Sequence, residues 1–187
     1  MAVFYLVELH PGCFEEPPVL TPPVTQGWRF FTHCAEDAFE SCGLIFEDLQ
    51  GMTDRTRNDF LNLWAYVFEV AKAGRPLKDC FPSGKVFHPV HSFEVLRVLD
   101  GKQQRQICEV HQFKKKRTDV RVLFVYGRRL MAFVTQAFEK DSEKTPAGEK
   151  TRAEEMAKQF LAALDGGRLQ LINEQGGRNA SKAIFGA

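Results

Sequence analysis

The stretch Thr118–Pro146, TDVRVLFVYGRRLMAFVTQAFEKDSEKTP, decides the fold reading. Val120, Val122 and Phe124 fall on one side of an extended segment, and Arg121, Leu123 and Val125 on the other. That period of two is the pattern of a strand within a sheet. Gly127 marks a hairpin turn, and Leu130–Phe138 supplies the return strand. Upstream, Gln106–Phe113 reads as a further strand, separated from Thr118–Tyr126 by Lys114-Lys115-Lys116-Arg117. A three-stranded antiparallel meander results, with four cations at one turn and one arginine inside the middle strand.

Downstream of the meander the last helix starts at Thr145 and Pro146, with Thr151 and Glu154 as an alternative capping box. Ala153, Met156, Ala157, Phe160, Leu161 and Leu164 form its apolar face, and Gly166-Gly167 ends it. Leu169–Ile172 is a short apolar patch in a tail that then turns to Gly, Asn and Ser. Toward the N-terminus, Val3–Leu9 reads as a strand, followed by a connection holding Pro11, Pro17, Pro18, Pro22 and Pro23, which cannot be helical. Trp28–Thr32 is a short second strand. Thr32 is placed to cap a helix whose stripe is Ala35, Phe39, Cys42, Phe46 and Leu49, closed by Gly51. A second helix starts at Thr53 or Asp54, buries Phe60, Trp64, Val67 and Ala71, and stops at Gly74 and Pro76. Residues 76–92 read as loop, and Phe93–Leu99 fits either a strand or one or two helical turns. The expected class is α+β: two N-terminal helices, an antiparallel meander and a C-terminal helix.

The chain has 187 residues, 44% of them hydrophobic and 17 of them Phe, enough for one domain with a substantial core. Net charge is only +1, yet the charges are segregated. Lys102–Arg129 carries nine basic residues against Glu109 and Asp119, whereas Glu36–Asp59 carries seven acids against Arg55 and Arg57. Segregation gives a local positive field that the total conceals. Five scattered cysteines without a CxxC pair point away from a zinc site or a disulfide framework, and toward reduced thiols in a cytoplasmic protein. His88 and His91, near Cys80, lack a third metal ligand at regular spacing. The opening residues do not have the pattern of a signal peptide, and no stretch approaches a membrane span. Neither a metal nor a cofactor is expected.

Four motifs in order carry a family resemblance: Cys108-Glu109-Val110-His111, Val120-Arg121-Val122-Leu123-Phe124, Phe138-Glu139-Lys140 and Lys144-Thr145-Pro146. Together they resemble the HigB-like, phage-derived branch of the RelE/ParE toxin superfamily, over about residues 28–164. The resemblance implies a RelE-like fold over 28–164; the N-terminal strand and proline-rich extension over 1–27 and the C-terminal tail over 165–187 lie outside it and are atypical of the family. It also implies a cytoplasmic toxin that cleaves mRNA, commonly on the ribosome, and is held by an antitoxin with a helix-turn-helix domain. Arg121 matches the family's strand arginine at the scissile phosphate. Lys114 matches a lysine seven residues before it, and Lys140 a basic position at the end of the last strand. His111 stands where the family has arginine, and no tyrosine follows Lys140.

Cleaving RNA without a metal requires removing the 2′-hydroxyl proton, balancing charge on the phosphorane-like state and protonating the leaving 5′-oxygen. Arginine grips phosphate bidentately and stays charged, so Arg121 is the candidate for charge stabilisation. His111 titrates in a useful range and Lys114 sits among cations, making both candidate bases. Lys115, Lys116, Arg117, Lys140 and Lys144 are candidates for holding flanking phosphates. Two other readings compete: a non-catalytic phage or prophage module that binds protein through the same sheet, and a gyrase inhibitor like the ParE relatives. The bland alternative for Arg121 itself is an ion pair with Glu109 across the hairpin.

Overall fold

The computed structural model describes residues 2–35, 44–81, 86–141 and 144–172. In chain order the strands are Phe4–Leu9 (β1), Arg29–Cys34 (β2), Phe87–Leu99 (β3), Lys102–Lys114 (β4), Val120–Tyr126 (β5), Met131–Glu139 (β6) and Leu169–Leu171 (β7). The helices are Leu44–Gln50 (α1), Asp54–Ala71 (α2), Leu77–Cys80 (α3) and Ala147–Asp165 (α4). All seven strands join one sheet in the order β3-β4-β5-β6-β2-β1-β7. The meander β3 to β6 is antiparallel, but β2 lies parallel to β6 and β1 parallel to β7.

This architecture corrects the expected RelE-like fold, whose few-stranded sheet is replaced by a mixed sheet of seven. The meander has four strands rather than three. The prolines and glycine of residues 76–92 concealed the start of β3, which begins at Phe87 and carries Pro89 at an irregular step between Pro89 and His91. Proline lacks an N–H and is tolerated in a strand at an edge or a bulge, and β3 offers both. Phe93–Leu99 is strand. The N-terminal strand sits in the sheet beside β2, and the Leu169–Leu171 patch beside β1 at the edge.

Alternation along β5 builds two cores at once. Val120, Val122 and Phe124 face α1, α2 and α3, packing with Phe30, Phe60, Trp64 and Phe113. Leu123 and Val125 face α4, packing with Phe31, Phe133, Phe160 and Leu161. Phe133 stacks on Phe160 with ring centres 4.4 Å apart, tying β6 to α4. A strand buried on both faces reads as a nearly continuous apolar run, as β5 and β6 do.

Thr53 caps α2, its hydroxyl accepting from the Thr56 amide at 3.2 Å. Thr32, by contrast, is not a helix cap. It lies inside β2, and its hydroxyl donates to the Val134 carbonyl at 3.0 Å. The anticipated helix stripe at Phe39 and Cys42 falls outside the described residues. β2 pairs with β6 only as far as Val134, so the later part of that β6 edge needs another partner. Asp48 of α1 supplies it, accepting from the Ala137 amide at 3.0 Å and from Arg152 at 2.9 Å.

The chain enters β2 by pressing Gly27 against the end of α2. A Cβ there would lie 2.5 Å from the Ala71 and Lys72 carbonyl oxygens, and both Trp28 donors are also used, its amide on Ala71 at 3.1 Å and its indole N–H on Arg75 at 2.7 Å. Backbone cannot yield as a flexible side chain does. We expect Gly27→Ala to lower the unfolding free energy in urea by about 1–3 kcal/mol or more. Gly148→Ala, where a Cβ meets nothing within 4 Å, serves as the control and leaves stability unchanged or slightly raised.

Candidate functional site

Lys114 and Arg121 form the last cross-strand pair of the β4–β5 ladder. They therefore share one face, and by the alternation of β5 it is the face that α4 covers farther along. Cross-strand neighbours place their Cβ atoms about 5 Å apart, and diagonal ones about 7–8 Å. The intervening turn closes with Arg117 at φ 63° and with the Thr118 amide on the Lys115 carbonyl at 3.3 Å. Lys115, Lys116 and Arg117 are exposed at its tip. At the end of β6, the Lys140 amide donates to the Asp119 carbonyl at 2.7 Å, which brings Lys140 beside the same turn.

On the other side of β4, His88 pairs with Gln112, the residue two before Lys114 on the same face. Burial lowers the His88 pKa, and the charges of Lys114, Lys140 and Arg121 lower it further, with a smaller push from His111. His88 thus sits in the combined field of three cations drawn from β4, β5 and the end of β6. Thr145 donates to Gln112 at 3.2 Å, so the start of α4 lies beside His88's cross-strand partner. The partial positive charge of that helix end adds to the field. Lys144, exposed, precedes Thr145.

Arg121 is half-buried. Its Nη1 donates to the carbonyls of Thr118 at 2.7 Å and Val120 at 2.8 Å, while its Nε is buried without a hydrogen-bond partner. Burial pulls its pKa down and the nearby Asp119 pushes it up; a guanidinium nevertheless stays charged at neutral pH. Among the described residues no ion pair involves Arg121 or Lys114. Glu109, the proposed partner of Arg121, belongs to the opposite face and lies 3.4 Å from His111.

His111 is not brought to Arg121. It pairs with Phe124, on the α2 side of the sheet, and is buried between the rings of Phe87 at 5.1 Å and Phe124 at 5.6 Å. Burial lowers its pKa, with Glu109 opposing. The histidine that joins Lys114, Arg121 and Lys140 is His88. Its place on this face was hidden because it lies in the proline-rich stretch read as loop. Its neighbour His91 faces α4 instead, 2.7 Å from Glu154. A signal was present nonetheless: extending the period of two backward from Phe93, with one slip at a proline, places His88 on the face of Gln112.

A cation is costly to crowd, so His88 holds its proton weakly. In a titration followed by NMR, we expect His88 to titrate below the ordinary histidine range, and Lys114→Met or Lys140→Met to move it upward. Linkage follows in sign: as pH falls, the unfolded chain protonates first, so stability present at neutral pH is lost as pH drops through the His88 range. An unshifted His88 would mean that the cations do not converge. Compared with family models, curated proteins and solved structures, the chain matches none.

Proposed function

We propose that the protein is an RNA endonuclease of the toxin class that the HigB-like motifs imply, acting at the face formed by His88, Lys114, Arg121 and Lys140. The single observation that carries this reading is the convergence of Lys114, Arg121 and Lys140 on a histidine held neutral. Three cations around one half-buried imidazole suit a phosphodiester better than a neutral ligand. An imidazole whose pKa is lowered by burial and by neighbouring cations is unprotonated at neutral pH and so free to accept a proton.

In the proposed reaction His88 takes the proton of a ribose 2′-hydroxyl. The 2′-oxygen attacks the adjacent phosphorus while the bond to the 5′-oxygen breaks. Arg121 balances the charge that accumulates on the non-bridging oxygens, and the departing 5′-oxygen takes a proton from the Lys114 or Lys140 ammonium. The products are a 2′,3′-cyclic phosphate and a 5′-hydroxyl end. Lys115, Lys116 and Arg117 at the turn, with Lys144, track the flanking phosphates. As in the toxin class, the site of action is cytoplasmic mRNA, ribosome-bound in many members, and the restraint is a helix-turn-helix antitoxin. No helix among the described residues is long and apolar enough to cross a membrane.

Purified protein incubated with end-labelled RNA tests this directly. Cleavage leaving 5′-hydroxyl ends is expected, with Arg121→Ala lowering the rate about 100- to 1,000-fold and His88→Asn about 100- to 10,000-fold. Lys114→Ala and Lys140→Ala each reduce the slope of log affinity against log salt by about 1. Growth arrest on expression that survives Arg121→Ala would instead favour the binding-module reading, and altered DNA supercoiling the gyrase reading.

A further inference from the structure

The β3–β4 hairpin outruns the sheet. β4 spans Lys102–Lys114, yet β5 pairs only with His111–Lys114. One face of this two-stranded arm is covered: Phe93 and Val95 are buried under α4, and Arg97 is held by Asp165 through two bonds of 2.7 Å. The other face is bare. Leu96, Val98 and Ile107 are 53, 43 and 70% exposed and project from it together with Glu94 and Arg105. Exposed apolar side chains clustered on one face mark an interaction surface more often than scattered ones do.

The two edges of the arm differ. The Val98 amide donates to Asp165 at 3.1 Å, so it points away from β4. Together with Pro89 and its irregular step, this blunts the β3 edge. Alternation then fixes the β4 side. Val98 pairs with Gln103 without exchanging bonds, so Gln103, Arg105, Ile107 and Glu109 turn their N–H and C=O groups outward, away from β3. Among the described residues no strand is laid along that edge. Where β5 departs, a cleft of about 600 Å³ opens between Ile107, Cys108 and Glu109 on one side and Tyr126 and Gly127 on the other.

We infer that the β4 edge at Arg105–Glu109 pairs antiparallel with the same edge of a second copy, about a two-fold axis at Ile107. Charge selects both the occupant and the register. With the axis at Ile107, this side chain meets its own copy, and Arg105 stands opposite Glu109 of the other copy on both sides, all on the bare face. An axis at Arg105 would set two guanidiniums against each other. An axis at Gln106 would set Ile107 against Arg105 and Glu109 against Gln103. Like charges directly opposite destabilise a strand pair and unlike charges stabilise it. Contacts of this kind are isologous and close on themselves, so the product is a dimer and not a fibre.

Sedimentation equilibrium on the full chain decides the matter. At about 100 μM the wild type is expected to be dimeric, with a Kd in the micromolar range given the small interface. Ile107→Lys is expected to weaken association at least about tenfold, as is Arg105→Glu, which faces Glu109. The double variant R105E/E109R, which restores the opposite-charge pairs in reverse, is expected to recover the dimer. Circular dichroism matching the wild type shows that each variant is folded. Should a variant misfold, amide exchange in the wild type gives the same answer: the Ile107 and Arg105 amides slow as concentration rises. A wild type monomeric at that concentration, an Ile107→Lys dimer of undiminished strength, a double variant that stays monomeric, or Ile107 exchange independent of concentration would each overturn the inference. None of these results decides whether the protein cleaves RNA, since each copy carries its own Lys114 at the other end of β4.

Discussion

The constraint on which the rest depends is that β5 and β6 are buried on both faces. From Val122 to Val125 every side chain of β5 is buried, and so is every side chain of β6 from Met131 to Phe138. Such strands admit charge only at their ends, where a covering helix has not begun. Arg121 occupies that position. It is the second residue of β5, on the face α4 covers farther along, and its register partner Lys114 is the last residue of β4. The two-layer core thereby dictates where cations can collect: at the rim of the α4 face, around His88. Moving Arg121 two residues along β5 would bury a guanidinium against α4, at a cost of several kcal/mol.

At that rim neither Arg121 nor Lys114 forms an ion pair among the described residues. Elsewhere, cations meet acids: Arg29 with Glu8, Arg97 and Arg128 with Asp165, Arg152 with Asp48, Lys158 with Glu154. Stability alone would favour the same arrangement near Arg121, where His88 and Arg121 each bury an unsatisfied nitrogen. Local violations of electrostatic and hydrogen-bonding consistency concentrate at functional sites. A bound phosphodiester would supply acceptors to the guanidinium.

How far this could be read from residues alone depended on whether the signal was local. The α4 face, the alternation of β5, the Thr53 start of α2 and the cross-strand relation of the strands around Lys114–Arg117 are all local patterns, and each was legible. That Lys114, Arg121 and Lys140 come together near one turn was legible for the same reason. What failed was non-local. Which strand lies beside β2 depends on a parallel pairing with β6 about a hundred residues away, and nothing in the stretch RFFTHC encodes that partner. Likewise Thr32 has the chemistry of a cap but found a carbonyl of β6 first. His111 and His88 illustrate the sharper lesson. Both were visible, but assigning a histidine to a face requires an exact count along the strand, and one irregular step at Pro89 is enough to send the counting astray.

The arm and the rim are two ends of one strand, which links the two proposals geometrically. Seven residues separate Ile107 from Lys114, about 23 Å at the usual rise of a strand. A two-fold axis through an antiparallel edge pair runs perpendicular to the sheet, so it keeps equivalent faces on the same side. Two His88–Lys114–Arg121–Lys140 clusters would then look in one direction, about 46 Å apart along the joined β4 strands. A single phosphate diester cannot bridge that distance, but a polynucleotide can. Its second contact would form at a high effective concentration, set by the chain between the sites. Bivalency of this kind rewards long, flexible polyanions over small anions without any new contact, which is the discrimination that a site built only from cations and one histidine lacks on its own.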